Sequence, residues 1–70
     1  MMPLSMIDIG QTKLIRRISG QDETKRFLEN LGFVEGSPVT IVSKLSGNLI
    51  VNVRETRVAI DKKMASRIMV

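Results

Sequence analysis

Seventy residues make one domain, 1–70, with a single modest core. Eleven Lys and Arg against seven Asp and Glu leave a net charge of +4, which favours an acidic partner surface. The chain has no His, Cys, Trp or Tyr, which excludes disulfides, nucleophilic sites built on His or Cys, and tight nitrogen or sulfur sites for zinc or iron.

In chain order, the opening Met1-Met2-Pro3-Leu4 lacks a basic stretch followed by a long apolar one, so no signal peptide is expected. No apolar run approaches the roughly 20 residues that span a bilayer, and the cytoplasm is the expected compartment. Residues Thr12 to Ser19 predict a first strand, with Leu14, Arg16 and Ile18 alternating apolar, polar, apolar. Ile15 interrupts that alternation, which implies cover on both faces or a bulge. Gly20 ends the run.

Asp22 to Leu31 predicts the one clear helix. Asp22 is a good N-cap, Glu23 suits the first turn, and Gly32 suits the left-handed position that stops a helix. Phe27, Leu28 and Leu31 form its expected apolar face. Both aromatics, Phe27 and Phe33, are expected in the core.

Three strands follow by period-two alternation. Pro38 to Lys44 points Val39 and Ile41 inward, and Leu49 to Arg54 points Leu49, Val51 and Val53 inward. Arg57 to Ile60 points Val58 and Ile60 inward. Ser46-Gly47-Asn48 is a turn, and Glu55-Thr56 a shorter reversal without the glycine of a strong hairpin signal. Asp61 caps a helical turn over Lys62, Lys63, Met64 and Ala65, and Arg67 to Val70 reads as a last short strand. About five strands, one short helix after the first and a helical turn before the last predict a mainly β fold closing into a small barrel.

The ordered set of these signals resembles the FeoA family, whose members adopt an SH3-like barrel. Leu4, Ile7 and Gly10 match its opening, and Ile15 and Ile18 before Gly20 match its first strand. Leu28, Leu31-Gly32-Phe33 and Gly36 match its most specific element, a helix ending in leucine-glycine-apolar with a glycine three residues on. Val39 and Ile41-Val42 match the next strand; Val58-Ala59-Ile60, Ala65, Ile68 and Val70 match the C-terminal signature. Three positions depart: Phe27 stands where the family usually has arginine, Glu35 where it has proline, and Glu55 near its usual hairpin glycine. The module also resembles the C-terminal domain of iron-dependent repressors, without their preceding helix-turn-helix.

The resemblance implies a non-enzymatic accessory of ferrous-iron uptake. Its partner would be FeoB, a membrane permease with a cytosolic GTP-binding domain that can hold the small protein at the inner face of the membrane. No cofactor is implied. Read from the residues, the candidate partner surface joins the charged helix face Lys25, Arg26 and Glu29 to Leu45, Ile50 and Arg54 on the strands. Leu45, Ile50 and Met69 would either form an exposed apolar patch or lie in a second small core under Leu4 to Ile9.

Two other readings compete. Lys13, Arg16, Arg17, Arg54 and Arg57 on one face would suit nucleic acid, although no aromatic stacking platform accompanies them. A metal-responsive module, as in the repressors, would have to rely on carboxylates. Asp8, Asp22, Glu23, Glu29, Glu35, Glu55 and Asp61 are scattered, and no pair is spaced for acid–base catalysis.

Overall fold

In the computed structural model, which describes all 70 residues, the period-two alternation after Pro38 becomes an antiparallel sheet. The chain runs through a 3₁₀ turn at Leu4–Met6, β1 (Thr12–Leu14), β2 (Arg17–Ile18) and α1 (Glu23–Asn30). It continues through β3 (Pro38–Leu45), β4 (Asn48–Val53), β5 (Thr56–Asp61), α2 (Lys62–Arg67) and β6 (Ile68–Met69). One sheet has the order β1-β3-β4-β5; β2 and β6 form a second, also antiparallel.

The strands number six because the first expected one is divided. β1 pairs with β3, opposing Lys13 to Val39, whereas β2 pairs with β6, opposing Ile18 to Ile68. Between them, Ile15 donates its N–H to Ser37 O (2.9 Å) and Arg16 donates to Met69 O (2.7 Å), so the chain changes sheets within two residues. This break shifts the inward set. Ile15 and Ile18 are buried, while Leu14, expected to share a face with Ile18, is 57% exposed.

The hydrophobic pattern of β3, β4 and β5 is otherwise realised as expected. Val39, Ile41, Leu49, Val51, Val53 and Ile60 are buried, and Val58 is half-buried against them. An irregularity between Ile41 and Ser43 shifts the register with β4, a bulge that bends the sheet over its contents. Leu4 and Ile7 from the N-terminal segment join the same cluster of fifteen buried residues, together with Leu28, Phe33, Ala65 and Ile68. There is one core, not a main core and a minor one, and α2 packs against the N-terminal 3₁₀ turn beside it.

Helix α1 begins as its sequence dictates. The Asp22 carboxylate accepts from the Lys25 N–H (3.3 Å), supplying an acceptor to a donor the helix itself leaves free. At its end Gly32 takes φ +111°, and Phe33 N–H donates back to Leu28 O (3.0 Å), a stop that a β-carbon would strain. The inward stripe is Leu28 with half-buried Thr24 and Leu31. Phe27 falls outside it and is 49% exposed, whereas Phe33 is fully buried. Asp61 caps α2 in the same manner, accepting from Met64 N–H at 2.7 Å.

Candidate functional site

Every buried side chain is apolar, so whatever chemistry the chain performs lies on its surface. The described residues contain no group of three or more carboxylates close enough to hold a metal ion. The surface candidates divide between α1, with the hairpin that reaches its end, and the sheet.

Lys25 and Glu29 are one helical turn apart and lie on the same side of α1. They line a shallow polar cavity of about 290 Å³, which Arg17, Gln21 and Glu35 complete from the flanking segments. Two cations and two carboxylates in so small a space form a mixed-charge rim, suited to orienting a partner more than to binding it tightly. Arg26 is exposed next to Phe27. A half-exposed aromatic bordered by charge is the composition that interface anchors favour. The sequence pattern alone assigned Phe27 to the core. With three apolar residues on so short a helix, only the docking angle decides which of them faces out.

Arg54 reaches the same region by a route that the sequence does not announce. β4 and β5 are joined by a two-residue turn, Arg54-Glu55, in which both residues have positive φ (51° and 61°). This turn lays the Arg54 stem on Gly32, immediately after α1. A β-carbon built at Gly32 would meet Arg54 Cδ at 2.9 Å and Cγ at 3.2 Å. Arg54 therefore reaches the C-terminal stop of the helix that carries Lys25, Arg26 and Glu29.

The other two candidates lie apart from it. Leu45, 64% exposed, sits at the end of the β3–β4 hairpin and lines a separate cavity with Ser5, Lys44, Asn48 and Lys62. Ile50 is half-buried in mid-strand, between Ser43 of β3 and Ala59 of β5. Met69 is half-buried in the other sheet, opposite Arg17 and bridged to Pro3. Leu45, Ile50 and Met69 thus form no common patch.

The basic residues are also dispersed. Lys13 and Arg16 line one cavity and Arg17 another. Arg54 covers Gly32, and Arg57 donates from Nε to Asn52 Oδ1 at 3.4 Å. The single basic face expected for nucleic acid is not assembled, because the sheet change at Ile15-Arg16 separates Arg16 and Arg17 into different grooves.

No helix is long and apolar enough to cross a membrane. The family model for the FeoA domain matches residues 2–70, and no curated protein matches the chain. Among solved structures, the chain is similar to an iron uptake regulatory protein, FeoA, at 26% identity and TM-score 0.88, over 96% of this chain and 91% of that one. It is similar also to FeoA of Stenotrophomonas maltophilia complexed with zinc and described as an SH3 domain protein. There the identity is 29% and the TM-score 0.87, with coverage of 99% and 88%. A manganese-dependent transcriptional repressor shares the fold, at 22% identity and TM-score 0.86, with 94% of this chain matching 38% of the repressor.

Proposed function

This chain belongs to the FeoA family, and we propose that it is a non-catalytic accessory of ferrous-iron uptake that docks on the cytosolic part of an FeoB-type membrane GTPase permease. The family is one of SH3-like proteins associated with ferrous-iron transport. What carries the docking surface is the exposure of Phe27 on a helix otherwise charged outward, with Arg54 held against the end of that helix. An exposed aromatic beside Arg26, with Lys25 and Glu29 on the other flank of the helix and Arg54 past its end, would give an interface an apolar anchor and charges that fix its orientation. Leu45 and Ile50 lie apart from it on the sheet and would form a second, separate contact.

Action on the permease follows from differential binding. The domain shifts nucleotide turnover or transport only to the extent that it binds one state of its partner more tightly than another. The site operates in the cytoplasm, at the inner face of the membrane where the permease presents its soluble part.

Binding to the purified cytosolic domain of the permease, with each nucleotide in turn, tests the proposal. Phe27→Ala with Arg26→Glu should weaken binding by about tenfold or more. Ile50→Asp with Arg54→Glu tests the strand side. Undiminished binding by both variants, with unchanged circular dichroism, would remove this surface. Absence of binding by the unaltered protein in every nucleotide state would remove the partner.

A further inference from the structure

The largest cavity of the molecule, about 460 Å³, lies away from the surface just described and shares no residue with it. Its position follows from the sheet change. Along β1, alternate residues turn their backbone groups to opposite sides, as an antiparallel ladder requires. Gln11 and Ile15 face β3: Ile41 N–H donates to Gln11 O (3.2 Å) and Ile15 N–H to Ser37 O (2.9 Å). Arg16 faces the other way, to Met69 O (2.7 Å). Thr12 and Leu14, in step with Arg16, turn their N–H and C=O groups to that same side. Neither makes a backbone hydrogen bond outside the β1–β3 ladder.

The cavity is the space these four groups face. β6 runs toward it, and Val70 lines it after pairing with Met2 (2.9 Å in each direction). The N-terminal residues Met1 and Met2 form the far wall. The slot lies in line with β6, with the unpaired edge of β1 on one side.

We infer that this slot is a strand-addition site for an extended acidic peptide segment with apolar residues at alternate positions. The free edge selects an extended backbone, since Thr12 and Leu14 together offer two donors and two acceptors. Charge selects the acid: Lys13 and Arg16 line the slot and no carboxylate side chain does. The apolar positions are matched by Leu14, 57% exposed, Met1, 76% exposed, and Met2, methionine being adaptable to varied shapes. Lys13 lies on one face of this edge and Leu14, in step with Arg16, on the other, so a peptide with its acidic residues on the Lys13 face sets its apolar ones beside Leu14.

The probe is an end-capped pentapeptide alternating valine with glutamate, titrated into the ¹⁵N-labelled protein. Saturable shifts at Thr12, Leu14 and Arg16 are expected, with exchange of the Thr12 and Leu14 amides slowed about tenfold at saturation. The same peptide with lysine for glutamate should bind about tenfold more weakly. Lys13→Glu with Arg16→Glu, both exposed, should weaken the glutamate peptide about tenfold or more. Leu14→Pro deletes an outward donor without breaking a ladder bond, and should abolish binding. If that variant fails to fold, the charge variant decides.

Any of four results overturns the inference. These are no saturable shift up to a few millimolar peptide, shifts confined to residues outside the slot, and equal affinity for the lysine peptide. The fourth is protection of Thr12 and Leu14 by anionic phosphatidylserine vesicles, or by self-association of the protein, without any response to the peptide.

Discussion

At each end of α1 an arginine is laid over a glycine, but the two ends use opposite parts of that side chain. Before the helix, the Arg67 guanidinium covers Gly20, donating from Nε to Ser19 O (3.1 Å) and from Nη2 to Asp22 Oδ1 (2.7 Å). After the helix, the hydrocarbon stem of Arg54 covers Gly32, and its guanidinium makes no hydrogen bond or ion pair within the chain. The first contact is charge held by geometry; the second is packing with a free charge beyond it. The N-terminal contact therefore fixes the helix, and the C-terminal one both fixes it and presents a cation to a partner.

If this distinction is right, Gly32→Ala is the most damaging change to either end. Gly32 is buried at φ +111°, where a β-carbon is strained and would press on Cδ and Cγ of Arg54. Arg54 Cγ and Cδ can give way only by turning the stem off the end of the helix, because the turn that holds Arg54 at φ 51° fixes its Cβ. The expected loss is about 2–3 kcal/mol, read from urea denaturation as a lower midpoint with unchanged slope. Gly20→Ala meets only the far end of Arg67, which can swing into solvent. What remains is the backbone strain at φ +100° and the loss of the Arg67 bonds to Ser19 O and Asp22, together about 2 kcal/mol.

The arginines themselves sharpen the contrast. Arg67→Met keeps the stem but removes the charge-assisted bond to partly buried Ser19 O, and should cost about 1 kcal/mol. Arg54→Met keeps what matters for folding and should stay within about 0.5 kcal/mol. Thermal melting in low and high salt separates the two, since only the Arg67 contact is electrostatic. Equal losses for both substitutions would show that the two ends are not different in kind.

Much of this was legible locally. Asp22, Asp61 and Gly32 announce their helix ends because capping is a matter of adjacent residues. β3 to β5 are legible because each buries one face. The failures occur where a distant contact decides. Leu14 and Ile15 exchange roles because one strand serves two sheets, a fact carried by Ser37 and Met69 rather than by β1 itself. The last hairpin turns one residue earlier than expected, at Arg54-Glu55 without a glycine, where the Arg54 stem meets Gly32. Of the candidate surface, the spacing of Lys25 and Glu29 predicts a shared face, but nothing near Arg54 in sequence brings it to α1. Phe27 was misplaced because its exposure depends on how the helix docks.

The smallest expected effect isolates the N-terminal contact by pH. Asp22 Oδ1 accepts from both Arg67 Nη2 and the Lys25 N–H. The Arg67 hydrogen bond, foremost, holds its carboxyl below the ordinary value of 3.8; desolvation opposes it, and the Lys25 amide and the Arg67 charge add smaller contributions in the same downward direction. A carboxyl more acidic in the folded than in the unfolded chain stabilises the fold fully above pH 3.8. That stabilisation is lost as pH falls from there through the folded-state value. Asp22→Asn keeps a capping acceptor but not the charge. It should lower stability slightly at neutral pH and remove this part of the decline in acid, with added salt diminishing the difference because the pair is exposed. Arg67→Met should flatten the same part of the curve, and the double variant should flatten it no further. Additive effects in acid would mean that Asp22 owes its acidity to the helix end rather than to Arg67, and the charge contact assigned to that end would reduce to an ordinary cap.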